Sequence, residues 1–90
     1  MNKTEFIDAL SAATNLSKAD AGRAVESMID IITGTLKKGD QVVLTGFGTF
    51  LARKRESRSG RNPRTGETIQ IEASTVPAFK AGKALKDALN

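Results

Sequence analysis

Cysteine and histidine are both absent from this sequence of 90 residues, as are tyrosine and tryptophan. Without cysteine the chain can form no disulfide and no thiolate metal site, and it has no thiol nucleophile. Without histidine it lacks the commonest general base and the commonest metal ligand. The 10 acidic residues are scattered rather than clustered, so a carboxylate metal centre is not expected either. We therefore predict a protein that is not an enzyme and that needs no cofactor or metal ion.

Long apolar runs are also lacking. No run reaches membrane-spanning length, and no signal-peptide-like apolar segment stands near the first residue. The hydrophobic fraction of 39% is nevertheless typical of a folded chain rather than a disordered one. We therefore expect one small domain over residues 1–90 that is soluble, intracellular and without a membrane partner.

Positive charge is concentrated in one segment. Residues 53–64 carry six basic side chains and one acidic one, a net charge of +5, whereas the rest of the chain has eight basic and nine acidic residues and so nets −1, for the total of +4. Five of the six are arginine, which binds phosphate through two parallel hydrogen bonds. A charge run is often only a solvated surface, but so much arginine with so little acid favours a site for a polyanion. The six are Arg53, Lys54, Arg55, Arg58, Arg61 and Arg64.

The first half of the chain reads as two helices. Asn2 with Glu5 three residues later indicates an N-cap and its reciprocal partner, for a helix that runs to about Ala13. Ser17 repeats the start signal, and the second helix is expected over residues 18–38, where two lysines and a glycine indicate its end.

The second half reads as three strands and a helix, which completes an α+β fold. Residues 41–53 are rich in β-branched and aromatic residues, and a glycine-rich break at 46–48 predicts two strands joined by a tight turn. The second strand is expected over 49–59, and a third over 67–76, ended by Pro77. The closing short helix has Ala81, Ala84, Leu85 and Ala88 on its apolar side.

Between the second and third strands lies GRNPRTGE, residues 60–67, which contains no large apolar residue. Glycine and Asn62-Pro63 form turns, so this stretch is predicted to be the far end of a β-hairpin. A two-stranded ribbon is only marginally stable in water. We expect a charged arm that is mobile until a polyanion orders it. Pro63 either only sets the turn or also presents a rigid apolar group to that polyanion.

These features resemble the bacterial histone-like DNA-binding proteins, the family of HU and integration host factor. The resemblance covers essentially the whole chain, and the short C-terminus at Asn90 is more similar to HU. Ala81 departs from it, since the family often has proline there, which bears on how rigidly the last helix begins. The matching positions are Gly46, Phe47, Phe50, Arg55, Arg58, Gly60, Asn62, Pro63 and Thr65.

The resemblance implies an intertwined dimer with a helical base, whose two β-ribbon arms bind double-stranded DNA in the minor groove. By position, residues 1–52 and 75–90 would form the dimerisation body and 53–74 the arm. Pro63 would intercalate between base pairs, with Arg61 and Asn62 as its minor-groove neighbours. The DNA-binding residues implied are Lys3, Arg53, Lys54, Arg55, Arg58, Arg61, Asn62, Pro63, Arg64, Lys80, Lys83 and Lys86.

The second helix gives its own reason to expect a dimer. Its apolar residues cover more of its circumference than one short helix and a small sheet can bury. The partner is expected to be a second copy, or a paralogue in a heterodimer. The predicted dimer core comprises Phe6, Leu10, Val25, Met28, Ile29, Ile32, Leu36, Leu44, Phe47, Phe50 and Phe79.

The function expected from the resemblance is non-sequence-specific DNA wrapping, bending and compaction at the bacterial nucleoid in the cytoplasm, with bent, nicked or gapped DNA preferred. The alternative is an RNA-binding or ribosome-associated basic protein; without tyrosine or tryptophan, a base-stacking platform is not expected. A nuclease would need clustered carboxylates. A sequence-specific regulator would need contacts to base edges in the major groove.

Overall fold

A computed structural model describes residues 1–71 and 73–90, apart from the side chains of residues 58 and 71. Its order of helices and strands confirms the predicted α+β class. The described residues form two compact units, Met1–Gly34 and Thr35–Asn90. The elements are α1 (Lys3–Thr14), α2 (Lys18–Lys37), β1 (Val42–Leu44), β2 (Gly48–Arg55), β3 (Arg58–Arg61), β4 (Thr68–Ile71), β5 (Ser74–Ala81) and α3 (Lys83–Leu89).

Helix α1 begins at the N-cap that the sequence predicts. Asn2 is extended, and its Oδ1 accepts a hydrogen bond of 2.8 Å from the backbone N–H of Glu5. No return bond from the Glu5 side chain is present among the described residues, so only half of the predicted reciprocal pair forms. The helix ends at Asn15, a left-handed residue with φ of 61°, a conformation that asparagine tolerates better than most residues.

Helix α2 also begins at its predicted cap, where Ser17 Oγ accepts a bond of 3.1 Å from the backbone N–H of Asp20. It ends at Lys37, one residue earlier than predicted. Two of its side chains, Ala21 and Val25, are 0% and 6% exposed, and they are the only buried apolar residues in the described part of the chain. A single copy of the chain therefore has almost no buried core.

The second unit contains a three-stranded antiparallel sheet in the order β1-β2-β5. A turn at residues 45–47 joins β1 to β2, as predicted. The Phe79 ring lies 5.4 Å from the Phe47 ring and 4.8 Å from the Phe50 ring, measured between centroids. A Cβ at Gly48 would lie 2.7 Å from the backbone oxygen of Lys80 and would overlap the Phe79 ring, so only glycine fits there.

Strands β3 and β4 form a separate two-stranded sheet. The prediction of one continuous strand over 49–59 is therefore wrong, because pairing stops at residues 56–57 and resumes at Arg58. The last pair before the break is Arg55–Ser74, and the first after it is Arg58–Ile71. Those pairs are three positions apart on both strands, so the break leaves the register unchanged.

Two further boundaries differ from prediction. The predicted third strand over 67–76 corresponds to β4 and the beginning of β5, and Pro77 lies inside β5 opposite Ala52 instead of ending it. Strand β5 is at the edge of its sheet, where a proline costs no ladder bond if its missing N–H would face outward. Ala81 closes β5 and is not part of the last helix, which begins after the N-cap Gly82.

Candidate nucleic-acid interface

The basic segment lies along the ribbon formed by the end of β2, by β3 and by the turn that follows. Every described basic side chain in it is exposed: Arg53, Lys54, Arg55, Arg61 and Arg64. The backbone of Arg58 belongs to β3, but its side chain lies outside the described residues. Alternating strand geometry thus places the predicted charges on the surface, where a polyanion can reach them.

None of these basic groups is neutralised by an ion pair within the described residues. The ion pairs found there join Lys3 to Glu26, Lys18 to Asp8 at 3.7 Å, and Arg23 to Asp20. All six partners belong to the unit Met1–Gly34. The acids of the chain therefore offset the charge of its first unit, while the ribbon keeps an uncompensated positive field.

The register divides the basic residues between the two faces of the ribbon. Arg53 and Arg55 are two positions apart on β2, so they share a face, and Lys54 lies on the opposite one. Their cross-strand neighbours are Val76, Ser74 and Thr75 respectively. One straight segment of phosphate backbone can therefore contact both arginines at once but not all three side chains.

A turn of six residues, 62–67, forms the tip of the ribbon. The backbone N–H of Asn62 donates to the oxygen of Glu67 at 2.7 Å, and the N–H of Gly66 donates to the oxygen of Asn62 at 2.8 Å. Gly66 has a φ of +73°, which favours glycine. Pro63 follows Asn62 and is exposed. The predicted hairpin end is thus confirmed, and it presents a proline to solvent.

Two residues of the tip are missing from the predicted site. Thr65 Oγ1 accepts a bond of 3.3 Å from the backbone N–H of Glu67, and Gly66 supplies the left-handed residue. Both hold the turn that carries Pro63. The signal in the sequence is the Thr-Gly pair that closes the loop opened by Asn-Pro.

The predicted lysines do not all lie beside the ribbon. Lys80 is opposite Thr49 on the sheet, six residues from Ser74, which corresponds to about 20 Å of strand. Lys83 and Lys86 are exposed and lie three positions apart on α3, hence on neighbouring turns of one side. Lys3 belongs to the other unit, where it is paired with Glu26.

Other kinds of site find little support in the described part of the chain. It contains no group of three or more aspartate, glutamate, histidine or cysteine residues arranged to hold a metal ion. None of its helices combines the length and apolarity needed to cross a bilayer. A concavity of about 280 Å³ lies where the two sheets meet, and its lining includes Lys54, Arg55 and Glu56. This concavity belongs to the basic ribbon.

Comparisons with known proteins agree with this geometry. Residues 1–90 match the family described as bacterial DNA-binding protein. The chain is 58% identical over 90 residues to DNA-binding protein HU-beta of Pseudomonas aeruginosa, with 100% of both chains covered. It is 61% identical over 89 residues to DNA-binding protein HU of Xylella fastidiosa, covering 99% of this chain and 95% of that protein. Among solved structures, an Anabaena HU–DNA cocrystal superposes with a TM-score of 0.88 at 39% identity, covering 99% of this chain and 97% of that one.

Proposed function

The chain belongs to the bacterial DNA-binding protein family, and from that premise we propose that it is an architectural protein that wraps, bends and compacts double-stranded DNA without reading a specific sequence. The observation that carries the proposal is the set of exposed arginines on the ribbon, none of them in an ion pair within the described residues. Arginines that neutralise phosphates release condensed counterions, which supplies sequence-independent affinity.

The arm, residues 53–74, is the part that enters the minor groove. Arg53 and Arg55 share one face of the ribbon and contact the DNA backbone there, while Lys54 and Arg58 contribute charge from elsewhere along it. Arg61 and Arg64 flank the tip. An extended two-stranded ribbon fits a minor groove, where contacts read groove width and charge more than base identity.

Pro63 is the intercalating residue of this mechanism. It is exposed at the tip, has no N–H that would require a hydrogen-bond partner, and stands between Asn62 and Arg64. A rigid apolar ring stabilises an unstacked base step and so favours a kinked duplex. Bent, nicked or gapped DNA is already partly unstacked, so it needs less deformation energy and is bound preferentially.

The body of the protein, residues 1–52 and 75–90, forms a dimer and holds the DNA that flanks the kink. Lys80, Lys83 and Lys86 meet that DNA on one unit, and Lys3 contributes from the other. Six residues of the predicted dimer core support a second copy as the partner, because each is 38% to 49% exposed in the single chain. They are Phe6, Met28, Ile29, Leu44, Phe47 and Phe79. The names of the HU-beta relatives are consistent with a paralogue as an alternative partner.

We further propose that the protein catalyses no reaction, and that it acts in the bacterial cytoplasm on the nucleoid. Relatives named for DNA binding alone support the first statement, together with the lack of histidine and cysteine. The bacterial membership of the family supports the second. An RNA-binding role is less well supported, because three of the four phenylalanines lie in one cluster of rings on the sheet, where bases would have to displace a partner copy.

Binding of nicked duplex DNA as a function of salt tests the proposal. If the dimer engages about six phosphates, affinity should fall by roughly a thousandfold between 50 and 200 mM salt. Arg55→Ala should weaken binding to every duplex and reduce the logarithmic salt slope by about one unit for each phosphate that is no longer neutralised. Single-stranded RNA of equal length, used as competitor, should displace the DNA poorly.

The matched control is Arg23→Ala, which removes the same charge from a helix where arginine is already paired with Asp20. It should leave the salt slope unchanged. Equal losses of affinity from Arg55→Ala and Arg23→Ala would mean that net charge alone drives binding, and the arm would not be the site. Tighter binding of RNA than of nicked DNA would favour the ribosome-associated alternative instead.

A further inference from the structure

Asn62 organises the tip through three hydrogen bonds. Its backbone N–H donates to Glu67 and its backbone oxygen accepts from Gly66, at 2.7 and 2.8 Å. Its side-chain Oδ1 also accepts from the backbone N–H of Arg64, at 2.9 Å. The side chain thereby bridges across Pro63 and fixes the turn on both sides of it.

These bonds leave the side chain of Asn62 with only one kind of hydrogen-bonding group to offer. Since only the carbonyl oxygen can accept from the Arg64 N–H, Nδ2 must be the other end of the amide. Within the described residues Nδ2 has no partner, and the residue is half-buried. Asn62 is therefore held in an orientation that presents two N–H donors and no unused side-chain acceptor to a ligand.

The neighbours of Asn62 reinforce this bias. Guanidinium groups are donors only, so Arg61 and Arg64 add donors on either side. Pro63 has no N–H, and the hydroxyl oxygen of Thr65 already accepts a bond from the Glu67 backbone. The tip thus presents side-chain donors around an apolar ring.

The minor groove distinguishes base pairs by the matching property. A·T pairs in either orientation present only acceptors there, whereas a G·C pair adds the N2 amino group of guanine, which is a donor. A donor facing that amino group has no acceptor to bind, and it hinders the approach of the side chain. Resting on the proposed minor-groove function, we propose that Asn62 is a specificity-determining residue that favours A·T over G·C pairs at the step that Pro63 unstacks.

The test compares affinities for three nicked duplexes that differ only in the pairs flanking the nick: A·T, G·C and inosine·C. Inosine lacks the N2 amino group, so inosine·C has the minor-groove pattern of A·T while keeping the cytosine strand. The parent protein should bind the A·T and inosine·C duplexes about equally, and each about fivefold or more tighter than G·C. A parent that binds inosine·C no better than G·C would overturn the proposal.

Asn62→Asp isolates the amide donors. Aspartate keeps an oxygen that can accept the Arg64 N–H, but it has no donors, so the preference over G·C should shrink to the part due to the softness of A·T steps. Its added negative charge lowers affinity for all three duplexes and cancels in the ratio. A variant with the full parental ratio would show that Asn62 is only a turn residue.

Thr65→Val is the matched control, because it removes a side-chain bond from the same tip and leaves Asn62 in place. The ratio should survive this change even if overall affinity falls. Loss of the ratio in Thr65→Val would mean that any disturbance of the tip abolishes it, which would overturn the assignment to Asn62. Failure of the parent to bind any nicked duplex would instead overturn the proposed function, so the two failures are distinguishable.

Discussion

At the scale of single residues, Pro63 and the arginines around it contribute to DNA binding through different physical terms. Arginine neutralises phosphate charge, so its contribution falls as salt rises. Pro63 carries no charge, and its contribution is the stabilisation of an unstacked base step, a term on the order of a few kcal/mol per step for minor-groove proteins such as HU. Affinity for straight DNA and the ability to bend it are therefore separable properties.

Pro63→Ala should reduce bending while leaving the binding of intact duplex nearly unchanged. The substitution removes no charge, so affinity for straight DNA and its salt slope should stay close to those of the parent. Without the apolar wedge, the preference for nicked or gapped DNA over intact DNA should decrease. Energy transfer between labelled duplex ends measures the bend, and competition between nicked and intact DNA measures the preference.

The adjacent Arg64→Ala serves as the control for that experiment, since it should lower affinity and salt slope but leave the bend of bound DNA intact. A Pro63→Ala protein that bends DNA as well as the parent and still prefers nicks would show that the proline only sets the turn. The Asx bond from Arg64 to Asn62 would then be sufficient to hold the tip.

The charge of the arm could be predicted from the sequence, whereas the bonding of its tip could not. Charge depends only on which residues are present, and six basic residues between 53 and 64 are visible without any fold. The bond from Arg64 to Asn62 depends on a choice that asparagine makes between its own backbone, solvent and a ligand. The sequence marks Asn62 as a turn former but does not show which of its atoms remains available.

At the scale of helices and strands, the same distinction separates local from non-local signals. Asn2 and Ser17 act on backbone groups three residues away, and both helix starts are where their caps predict. The strand predicted across residues 56–57 is interrupted, although no glycine or proline marks the break. Pro77 is accommodated because β5 is an edge strand, a property of sheet order that a single strand cannot reveal.

The arm should open far more readily than the helices. Strands β3 and β4 pair only with each other, and the tip between them is exposed except for Asn62. Little apolar burial therefore offsets the entropy of ordering residues 57–69. In the free protein, amide exchange in this segment should be much faster than in α2, and trypsin should cut first after Arg61 or Arg64.

DNA provides the control for that measurement. Added nicked duplex should protect the arm from trypsin and slow its amide exchange, while exchange in α2 changes little. Arg23, in α2, is an internal reference for cleavage, since it is exposed but helical. Arm amides that exchange as slowly as those of α2 in the free protein would contradict the prediction.

At the scale of the whole molecule, the single chain leaves too much apolar surface exposed to be stable by itself. Only Ala21 and Val25 are buried among its described apolar residues, whereas a domain of about this size normally buries some 60% of the surface of its unfolded chain. Phe6, Met28 and Phe47 are 46% to 49% exposed. Such faces are covered when a second copy supplies the missing half of the core.

Folding and dimerisation should therefore be a single transition with no stable monomer. For a folded dimer that dissociates into two unfolded chains, each tenfold dilution lowers the free energy of unfolding by about 1.4 kcal/mol, which should lower the melting temperature by a few degrees. Calorimetry over a hundredfold range of concentration, with sedimentation at each concentration, measures both effects. Ile29→Glu places a charge on a side chain of the predicted dimer core that is 45% exposed in the single chain, so it should abolish the dimer and the fold together. Leu89→Glu makes the same chemical change at a side chain outside that core, 78% exposed, and should shift stability by no more than about 0.5 kcal/mol. A monomeric mass at micromolar concentration with melting independent of dilution would contradict this prediction.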